Sequence, residues 1–492
     1  MQERNSWPGD RAPLVALAVL AAVCVACLIA NHDLPLVRNG IVYARAAEHV
    51  IEQHFDGLAV VADSKLSYDK PIGFSWLAAP LLALCGTNLG LELVSCAGTL
   101  AFLVALYFFA RYFDPFGFSY RERALLIVLA GCGPIVAYQS WSAHPDSLYA
   151  ALYLATFTLA HRFVERPSYA RVGWIALCIF ASLLLKNYGA ILIPSVGLYV
   201  FLQRRRVQAA PGGARMRVAL DLALVLLAGL VYLGMTGHNV LMRAEGEGGG
   251  ASQFGAGIWW ERCLGTLAQV GVTLLVNLHV ALLPILFARR WPWIAIVSFL
   301  APYLAGLMLF PATFYNMRYF LVLLPFAALL AVAGRRRLGP RPRRLLAGSF
   351  AVLAAALLLV FNSAPLYARI GGALPKLELT FTWPGIPLSL LDNLRLPAHL
   401  KQKAWIDNLN AQVPDGALVY MLDINYYGDA QHGVFERAGS IRPGIHTQYA
   451  SSRGFAPQEP LFFVQATPRH AERLAQLGTA SDLGEGLFRV QR

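Results

Sequence analysis

The sequence predicts a mostly α-helical membrane protein with about eleven transmembrane helices, a cytoplasmic N-terminus and a small C-terminal α/β domain on the outer, periplasmic side. Composition is the first indication, because 57% of the 492 residues are hydrophobic and only 14% are charged, whereas soluble domains contain about 25% charged residues. The second indication is a series of apolar runs near the length of about 20 residues that crosses a bilayer. The third is the side of the membrane on which the basic residues fall.

Arginine clusters separate the apolar runs and fix the orientation of the chain. Loops that carry Lys and Arg stay in the cytoplasm, and every strongly basic cluster falls on the same side of the alternating path. This anchoring accounts for the net charge of +13, so no nucleic-acid partner is predicted. The clusters are Arg111/Arg121/Arg123, Arg162/Arg166/Arg171, Arg204/Arg205/Arg206 with Arg215/Arg217, Arg289/Arg290, and Arg335/Arg336/Arg337 with Arg341/Arg343/Arg344.

The apolar runs predict spans that alternate between the two sides of the membrane. The first follows Arg4 and Arg11 and lacks a small-residue cleavage site, which is typical of a retained anchor. Residues 71–85 are too short to cross and are expected to form a helix that lies at the interface or re-enters it. Lys186 divides the fifth span from the sixth, because a lysine at the bilayer centre is unfavourable. The spans cover residues 13–30, 92–110, 124–140, 147–163, 172–185, 189–203, 218–236, 266–288, 292–309, 319–334 and 345–361.

Residues 362–492 have a different composition and are predicted to form the periplasmic α/β domain. Polar residues become frequent, and about 130 residues suffice to bury a core. None of the seven cysteines lies in this region, so no disulfide framework is predicted there, and the cysteines are expected to be small core residues. The expected elements are a helix over 397–411, strands at Ala417–Asp423, Leu461–Gln465 and Leu487–Val490, and a helix capped by Thr467 that runs to about Leu477.

The first outer loop, residues 31–91, is long and rich in ionisable groups. It begins near Asp33 and contains a predicted short helix around Tyr43. It then places Asp69 and Lys70 directly before Pro71 and an aromatic-rich segment. Proline suits the first turn of a helix, and a helix start can hold an anion such as phosphate. The alternative is an interfacial anchor in which lysine and tryptophan mark the headgroup level.

Three further residues lie at the outer ends of predicted helices. Asp146, which follows His144 and Pro145, is either an ordinary cap that complements the helix dipole or a carboxylate that faces the first loop. Lys186 and Arg318 lie on the outer side against the positive-inside trend, which favours a role such as binding a lipid phosphate over a satisfied interfacial cation. No zinc-ligand spacing and no dinucleotide-binding loop is present in the sequence.

These segments occur in an order that resembles the bacterial C-type (GT-C) membrane glycosyltransferases, in the branch that holds lipid A aminoarabinose transferase and the protein O-mannosyltransferase relatives. The resemblance covers residues 1 to about 345, while the C-terminal domain matches only as an outer-face appendage. Each motif alone is weak evidence for the family. Five motifs in the same order and on the expected side of the membrane are more specific evidence. The motifs are the helix around Tyr43, Asp69-Lys70-Pro71 with Trp76, Pro145-Asp146, Lys186, and Arg318-Tyr319 with Leu324-Pro325.

The resemblance implies an enzyme of the bacterial inner membrane with a transmembrane catalytic domain at residues 1–361. It would move a sugar from a polyprenyl-phosphate donor, such as undecaprenyl phosphate, to lipid A, another glycan or glycolipid, or an exported protein, with inversion at the anomeric carbon. No cofactor is indicated, and a divalent metal remains open. The implied site consists of Asp146 and Asp69 as catalytic carboxylates, Lys70, Lys186 and Arg318 around the donor phosphate, and Asn39, Tyr43, Asp33 and His144 at the acceptor.

One departure affects the implied catalytic base. The family usually has Asp, often Asp-Glu, where this chain has Asn39 and Gly40 before Tyr43. Asparagine can bind an acceptor hydroxyl but cannot take its proton, so the base would be Asp146, Asp69 or Asp33, or the acceptor would already be ionised. A transporter or lipid flippase and a non-catalytic descendant are the alternatives. The sequence leaves the sugar, the acceptor and the oligomeric state open.

Overall fold

The computed structural model describes the membrane part almost throughout and the C-terminal part in segments. Statements about structure below refer to these residues. They are 11–37, 39–55, 71–235, 256–309, 317–370, 378–380, 387–389, 396–422, 440–442, 444–449, 461–466 and 470–491.

Helices dominate residues 11–370, and a helical segment lies at each of the eleven positions predicted for a span. 3-10 turns at Asn187–Ile191, His279–Phe287 and Met317–Leu323 adjoin α-helices, and a helical turn at Trp293–Ala295 continues into a π-helical turn at Ile296–Leu300. The α-helices are α1 Arg11–Asn31, α2 Asn39–Glu52, α3 Gly73–Cys85, α4 Thr87–Tyr112, α5 Tyr120–Gly131, α6 Pro134–Gln139, α7 Asp146–Glu165, α8 Tyr169–Leu185, α9 Leu192–Leu202, α10 Arg204–Gln208, α11 Gly213–Met235, α12 Ala256–Leu278, α13 Ala301–Leu309, α14 Leu324–Arg335, α15 Pro340–Asn362 and α16 Ala364–Ile370.

The chain is a multi-pass membrane protein. Five of the described helical segments are long and apolar enough to cross a bilayer by length and composition: Arg11–Asn31, Thr87–Tyr112, Cys263–Phe287, Met317–Arg335 and Pro340–Asn362. Several others are apolar but shorter or interrupted. The total of about eleven spans and their orientation stay predictions.

The third predicted span is broken between α5 and α6, and the sequence explains the break. Gly133 packs directly against the side chain of Asn277 on α12, so closely that a Cβ atom at this position would collide with it. Pro134 follows at the first position of α6, where a missing N–H is tolerated. The Asn277 Oδ1 accepts a hydrogen bond from the Ile135 N–H at 3.3 Å. The start of α6 is therefore held against α12.

The first outer loop contains the two predicted helices, α2 and α3. They pack together through an apolar core that includes Tyr43, Val50 and Phe74. The Ser75 hydroxyl of α3 donates to the Tyr43 carbonyl at 3.0 Å, which fixes the level of α2 relative to α3. Gly90 on α4 lies so close to the α3 backbone that no larger residue would fit. This packing holds Tyr43 in the protein interior.

The C-terminal region contains a five-stranded mixed sheet in the order β4-β3-β5-β7-β6. Strand β3 is parallel to β4 and β5, and β7 is antiparallel to β5 and β6. Trp405 and Leu409 of helix α17 belong to the same core as Val419 and Phe463 of the sheet. The elements are β1 Glu378–Thr380, β2 Pro387–Ser389, α17 Leu396–Gln412, β3 Leu418–Met421, β4 His446–Tyr449, β5 Leu461–Gln465, α18 Ala471–Leu477, β6 Thr479–Asp482 and β7 Leu487–Gln491.

The helix predicted over 397–411 and the three predicted strands are present, with two differences elsewhere. Helix α18 begins at Ala471 with His470 at its N-cap, and the predicted cap residue, Thr467, lies outside the described residues. Strands β1, β2, β4 and β6 were not predicted, and β6 is exposed along its whole length. All seven cysteines are unpaired, but only four of them are buried as expected, because Cys132 and Cys178 are partly exposed and Cys85 is exposed.

The C-terminal region contacts the outer ends of the membrane helices through His399 of α17. This side chain is buried. Its Nδ1 lies 2.8 Å from the Pro35 carbonyl oxygen, and its Nε2 lies 3.4 Å from the Tyr138 hydroxyl. The Trp141 ring packs 4.9 Å from the imidazole, centroid to centroid. Helix α17 is thereby fixed beside the segment that leads from α6 to Asp146.

Candidate active site

Three charged side chains from distant parts of the chain meet at Asp146. The Lys186 Nζ lies 3.1 Å from the Asp146 Oδ1, and the Arg318 Nε lies 3.2 Å from the Oδ2. All three side chains are buried, with 7% or less of their surface exposed. Removing one member of a buried charge cluster leaves an uncompensated charge and typically costs about 3–5 kcal/mol. We call this group the Asp146 cluster.

The ends of helices place these three side chains. Asp146 is the first residue of α7, where its carboxylate complements the helix dipole. Lys186 follows α8 in an extended conformation (φ −153°, ψ 136°), which turns its side chain away from the helix axis. Arg318 lies in the 3-10 turn Met317–Leu323. The Tyr319 ring lies 5.1 Å from the Lys186 Nζ and 5.4 Å from the Arg318 Cζ, so it supports both cations through its π face.

Lys186 remains charged in this buried position. Burial lowers the pKa of Lys186, but the adjacent Asp146 carboxylate more than offsets it and holds that pKa above the ordinary lysine value. The Asp146 cluster therefore contains two cations and one carboxylate, with a net charge of +1. A buried positive charge of this kind attracts an anion.

The guanidinium of Arg318 has donor capacity that no described residue uses. None of its three nitrogens makes a hydrogen bond with any residue that the structure describes, since the contact between Nε and Asp146 lacks hydrogen-bond geometry. Buried donors are nearly always paired. A guanidinium presents parallel N–H groups that fit the oxygens of a phosphate or carboxylate. Arg318 is therefore suited to bind an anion that enters the cluster.

Tyr43 and His144 lie beside the Asp146 cluster, and their predicted role in binding the acceptor stays a prediction. The Tyr43 ring packs against Phe74 at 5.1 Å and lies 6.4 Å from the His144 ring. Its hydroxyl is buried and has no hydrogen-bond partner within the described ranges. Burial raises the pKa of Tyr43, with Lys186 opposing this and Asp146 adding to it, so the hydroxyl stays protonated and can donate. The His144 N–H donates to the Ser95 Oγ at 2.7 Å.

Asp33 is not part of this cluster, and the side chains of the other predicted site residues lie outside the described part of the chain. Asp33 is exposed, with its Oδ1 3.1 Å from the His32 Nε2. Asn39 is the first residue of α2, and its side chain lies outside the described part of the chain. Asp69 and Lys70 also lie outside the described residues. Their assignments stay predictions.

Two buried glutamines in the helical region were missed in the sequence analysis. Gln139 ends α6 and Gln269 lies in α12, and both side chains are almost completely buried. Both amide atoms of each side chain lack hydrogen-bond partners among the residues described. A glutamine inside a long apolar run is the signal that could have identified them, because polar side chains within membrane segments are commonly functional.

The described residues contain no group of three or more His, Cys, Asp or Glu side chains that could hold a metal ion.

Known proteins resemble this chain in structure rather than in sequence. No family model matches it, and no curated protein matches it by sequence. A crystal structure of ArnT from Cupriavidus metallidurans bound to undecaprenyl phosphate superposes with a TM-score of 0.55 at 14% identity, covering 97% of both chains. The apo structure of the same protein gives a TM-score of 0.53 at 13% identity, again over 97% of both chains. The resemblance inferred from the motifs is thus confirmed at the level of the fold, and this chain has the fold of the GT-C polytopic membrane glycosyltransferases represented by ArnT.

Proposed function

We propose that this chain is an integral membrane glycosyltransferase that moves a sugar from a polyprenyl-phosphate donor to an acceptor of the cell envelope. The reaction would take place on the periplasmic side of the bacterial inner membrane, where the Asp146 cluster lies in the predicted topology. The observation that carries this proposal is the buried Arg318 guanidinium with unused N–H groups, next to a second cation, Lys186. The fold shared with ArnT, whose structure holds undecaprenyl phosphate, supports it.

The cations account for the chemically difficult part of the transfer. As the bond between the anomeric carbon and the phosphate oxygen breaks, its electron pair stays on the polyprenyl phosphate. Arg318 and Lys186 would stabilise the negative charge that develops there. Preorganised cations in a water-poor site are among the largest contributions to catalysis. No nucleotide is needed, because the donor is already activated.

The acceptor oxygen would form the new bond to the same anomeric carbon from the opposite face, which inverts its configuration. An acceptor hydroxyl loses its proton during this step, whereas an ionised phosphate has none to lose. The Tyr43 hydroxyl and His144 lie where they could hold the acceptor. Asp69 and Asp33 remain the proposed bases, and Lys70 the proposed third cation. The acceptor would be lipid A, another glycan or glycolipid, or an exported protein.

Asp146 would act as a positioning residue. Each of its oxygens lies beside a cation, so it holds Lys186 and Arg318 in place and is poorly suited to take a proton. The transporter alternative expects ionisable residues along a path through the membrane. In the described residues these three charges lie together at the start of α7 and its neighbours, which disfavours that alternative.

The test uses purified protein in nanodiscs, a panel of polyprenyl-phosphate sugars and crude envelope acceptors, with product and free polyprenyl phosphate followed by mass spectrometry. The wild type should transfer sugar, and Asp146→Asn and Arg318→Gln should each lower the rate at least about 100-fold. Asp221→Asn is the matched control, because Asp221 is half exposed and pairs with Arg217 on its own helix. Absence of transfer and of lipid release with every donor would overturn the proposal.

A further inference from the structure

A cavity lies at the opposite end of α7 from the Asp146 cluster. Its volume is about 660 Å³, within the range of about 300–1,000 Å³ that is typical of small-molecule sites. His161, which lines the cavity, lies 15 residues after Asp146 on α7, or about 22 Å along the helix. The cavity is therefore separate from the Asp146 cluster, and the proposed transfer reaction does not use it.

The predicted topology places this cavity on the cytoplasmic side. Its lining comes in part from three segments that carry predicted cytoplasmic arginine clusters. These segments are the end of α7 with Glu165, helix α10 with Arg206, and the chain before the turn Trp293–Ala295, with Trp291. A ligand of this cavity is therefore expected at the cytoplasmic surface of the membrane.

Two tryptophans form one wall of the cavity. The Trp291 and Trp293 rings stack with their centroids 5.4 Å apart, and Trp293 is 61% exposed. Ile294 lines the same wall and is also exposed. Tryptophan is enriched at the level of the lipid headgroups, and exposed apolar side chains of a membrane protein face the acyl chains. The cavity therefore adjoins the region where headgroup and acyl chain meet.

Both carboxylates that line the cavity are engaged by neighbouring side chains. The Asp114 Oδ2 lies 3.0 Å from the Arg123 Nη2. The Glu165 Oε2 lies 3.2 Å from the Arg162 Nη1, and its Oε1 lies 3.5 Å from the His161 Nε2. Each carboxylate is thus neutralised by an arginine that does not itself line the cavity. A cationic ligand would have to compete with these ion pairs.

Arg206 supplies the charge that remains. It lines the cavity, is exposed, and makes no ion pair or side-chain hydrogen bond with any residue that the structure describes. With the two carboxylates already paired, the cavity keeps a charge of +1. The guanidinium presents N–H groups in the geometry that fits phosphate oxygens. The cavity is therefore suited to a ligand that contains a phosphate.

Polar groups beyond Arg206 indicate that the ligand carries more than a phosphate. Gln203 lines the cavity, and its side-chain amide can both donate and accept hydrogen bonds. The Tyr199 hydroxyl, 2.8 Å from the His161 Nδ1, lies on the same lining. A phosphate bonded to Arg206 leaves these groups to the hydroxyls of the group attached to it. A phospholipid with a hydroxylated headgroup has both features and places its acyl chains beside Ile294.

We propose that this cavity binds the headgroup of an anionic phospholipid from the cytoplasmic leaflet, with Arg206 on the phosphate and the two tryptophans at the headgroup level. Basic pockets between transmembrane helices on the cytoplasmic side bind anionic headgroups in the same way. The bound lipid joins the ends of α7 and α9 to the segment that contains Trp291. The proposal is independent of the proposed transfer reaction.

The experiment measures lipid dissociation constants by native mass spectrometry of the full chain in detergent. The lipids are phosphatidylglycerol, zwitterionic phosphatidylethanolamine and undecaprenyl phosphate, and soluble glycerol phosphate is the competitor. The variants are Arg206→Gln and, as the matched control, Arg205→Gln, which removes one arginine from the same helix but does not line the cavity.

The wild type should bind one phosphatidylglycerol at least about fivefold more tightly than phosphatidylethanolamine, which is roughly the effect of one basic residue near anionic headgroups. Arg206→Gln should remove most of this difference, and Arg205→Gln should keep it. Affinity for undecaprenyl phosphate should be the same in both variants and the wild type, because the Asp146 cluster is unchanged.

Four results would overturn the proposal. Equal losses in the two arginine variants would mean that the basic surface attracts lipids without a site. Equal affinity of the wild type for phosphatidylglycerol and phosphatidylethanolamine would overturn the anionic class. A loss of undecaprenyl phosphate binding in Arg206→Gln alone would assign the cavity to the polyprenyl lipid. Displacement of phosphatidylglycerol by an equal concentration of glycerol phosphate would assign it to a soluble phosphate.

Discussion

Lys186 and Arg318 hold opposite oxygens of one carboxylate, that of Asp146, at 3.1 Å and 3.2 Å. The Tyr319 ring lies against both cations. Two like charges are thereby kept close together in a buried position that neither could occupy alone. One of them, Arg318, has N–H groups that make no hydrogen bond with any residue that the structure describes. The pair is thus arranged to receive an anion.

Replacing Arg318 with lysine tests whether the positive charge alone, or also the planar arrangement of the guanidinium N–H groups, is needed to bind the phosphate. Arg318→Lys keeps the positive charge beside Asp146 but loses the planar set of N–H groups that fits a phosphate. We expect undecaprenyl phosphate to bind roughly tenfold more weakly, which corresponds to about 1.4 kcal/mol. Thermal unfolding in the same detergent should change little. Lys186→Arg is the reciprocal control, and an undiminished affinity of Arg318→Lys would show that a point charge suffices.

Tyr43 provides a test of function without a large effect on stability. Its hydroxyl contacts no described residue through a hydrogen bond, so Tyr43→Phe should change the free energy of unfolding by no more than about 0.5 kcal/mol. If the hydroxyl binds the acceptor, the transfer rate at low acceptor concentration should fall roughly tenfold. Sugar transfer and thermal unfolding are measured on the same preparation.

Tyr153→Phe is the matched control for this substitution. The Tyr153 hydroxyl is also buried, but it donates to the Phe299 carbonyl at 2.7 Å. Its removal leaves that carbonyl unpaired and should lower stability by about 1–3 kcal/mol. A loss of stability in Tyr43→Phe equal to that in Tyr153→Phe would contradict a ligand-binding role for Tyr43.

The helices and the charged members of the site were predictable from the sequence, but their association was not. The length of the apolar runs predicts helices. Lys186 and Arg318 are unusual because they lie on the predicted outer side, where basic residues are rare. Nothing local shows that they share Asp146, which is 40 residues from one and 172 from the other. That contact depends on how the helix ends pack in three dimensions.

Features that depend on tertiary packing were missed for the same reason. Gln139 and Gln269 lie inside apolar runs, and hydropathy averages conceal single polar residues. The break at Gly133 arises from its contact with Asn277, which is 144 residues away. Strand β6 is exposed along its whole length and lacks the alternation of apolar and polar residues that predicts a strand. Its pairing with β7 defines it as one.

The C-terminal region should influence the site through His399. His399→Phe keeps an aromatic ring against Trp141 but removes the contacts of both ring nitrogens, with the Pro35 carbonyl and the Tyr138 hydroxyl. Losing buried hydrogen bonds costs about 1–3 kcal/mol, so backbone amides of the segment from Tyr138 to Asp146 should exchange with solvent about tenfold faster or more. Hydrogen-exchange mass spectrometry measures this directly.

His446→Phe controls for the loss of a histidine in the same region, because His446 is exposed in β4. It should leave exchange in residues 138–146 unchanged. Sugar transfer should fall in His399→Phe and not in His446→Phe. If exchange in this segment is the same in both variants, the contact through His399 does not stabilise the site.

Glu122 and Arg336 form an ion pair, separate from the Asp146 cluster, whose contribution to stability depends on pH. The Arg336 Nε and Nη2 donate to the two carboxylate oxygens, each at 2.7 Å. These bonds lower the pKa of Glu122 to about 2 from an ordinary value of 4.5. Because the pKa is lower in the folded state, the pair stabilises the protein above about pH 4.5 and loses this effect as the pH falls toward 2.

Both side chains are partly exposed, so Glu122→Gln should lower stability by no more than about 1 kcal/mol at pH 7. The difference in melting temperature between the wild type and Glu122→Gln should shrink as the pH is lowered from 5 to 3. Glu165→Gln is the control, since the Glu165 carboxylate is 44% exposed in its pair with Arg162. A wild-type advantage that is the same at pH 3 and pH 7 would mean that Glu122 acts through packing and not through its charge. Because this pair involves neither Asp146 nor its cations, the substitution should leave the affinity for undecaprenyl phosphate unchanged.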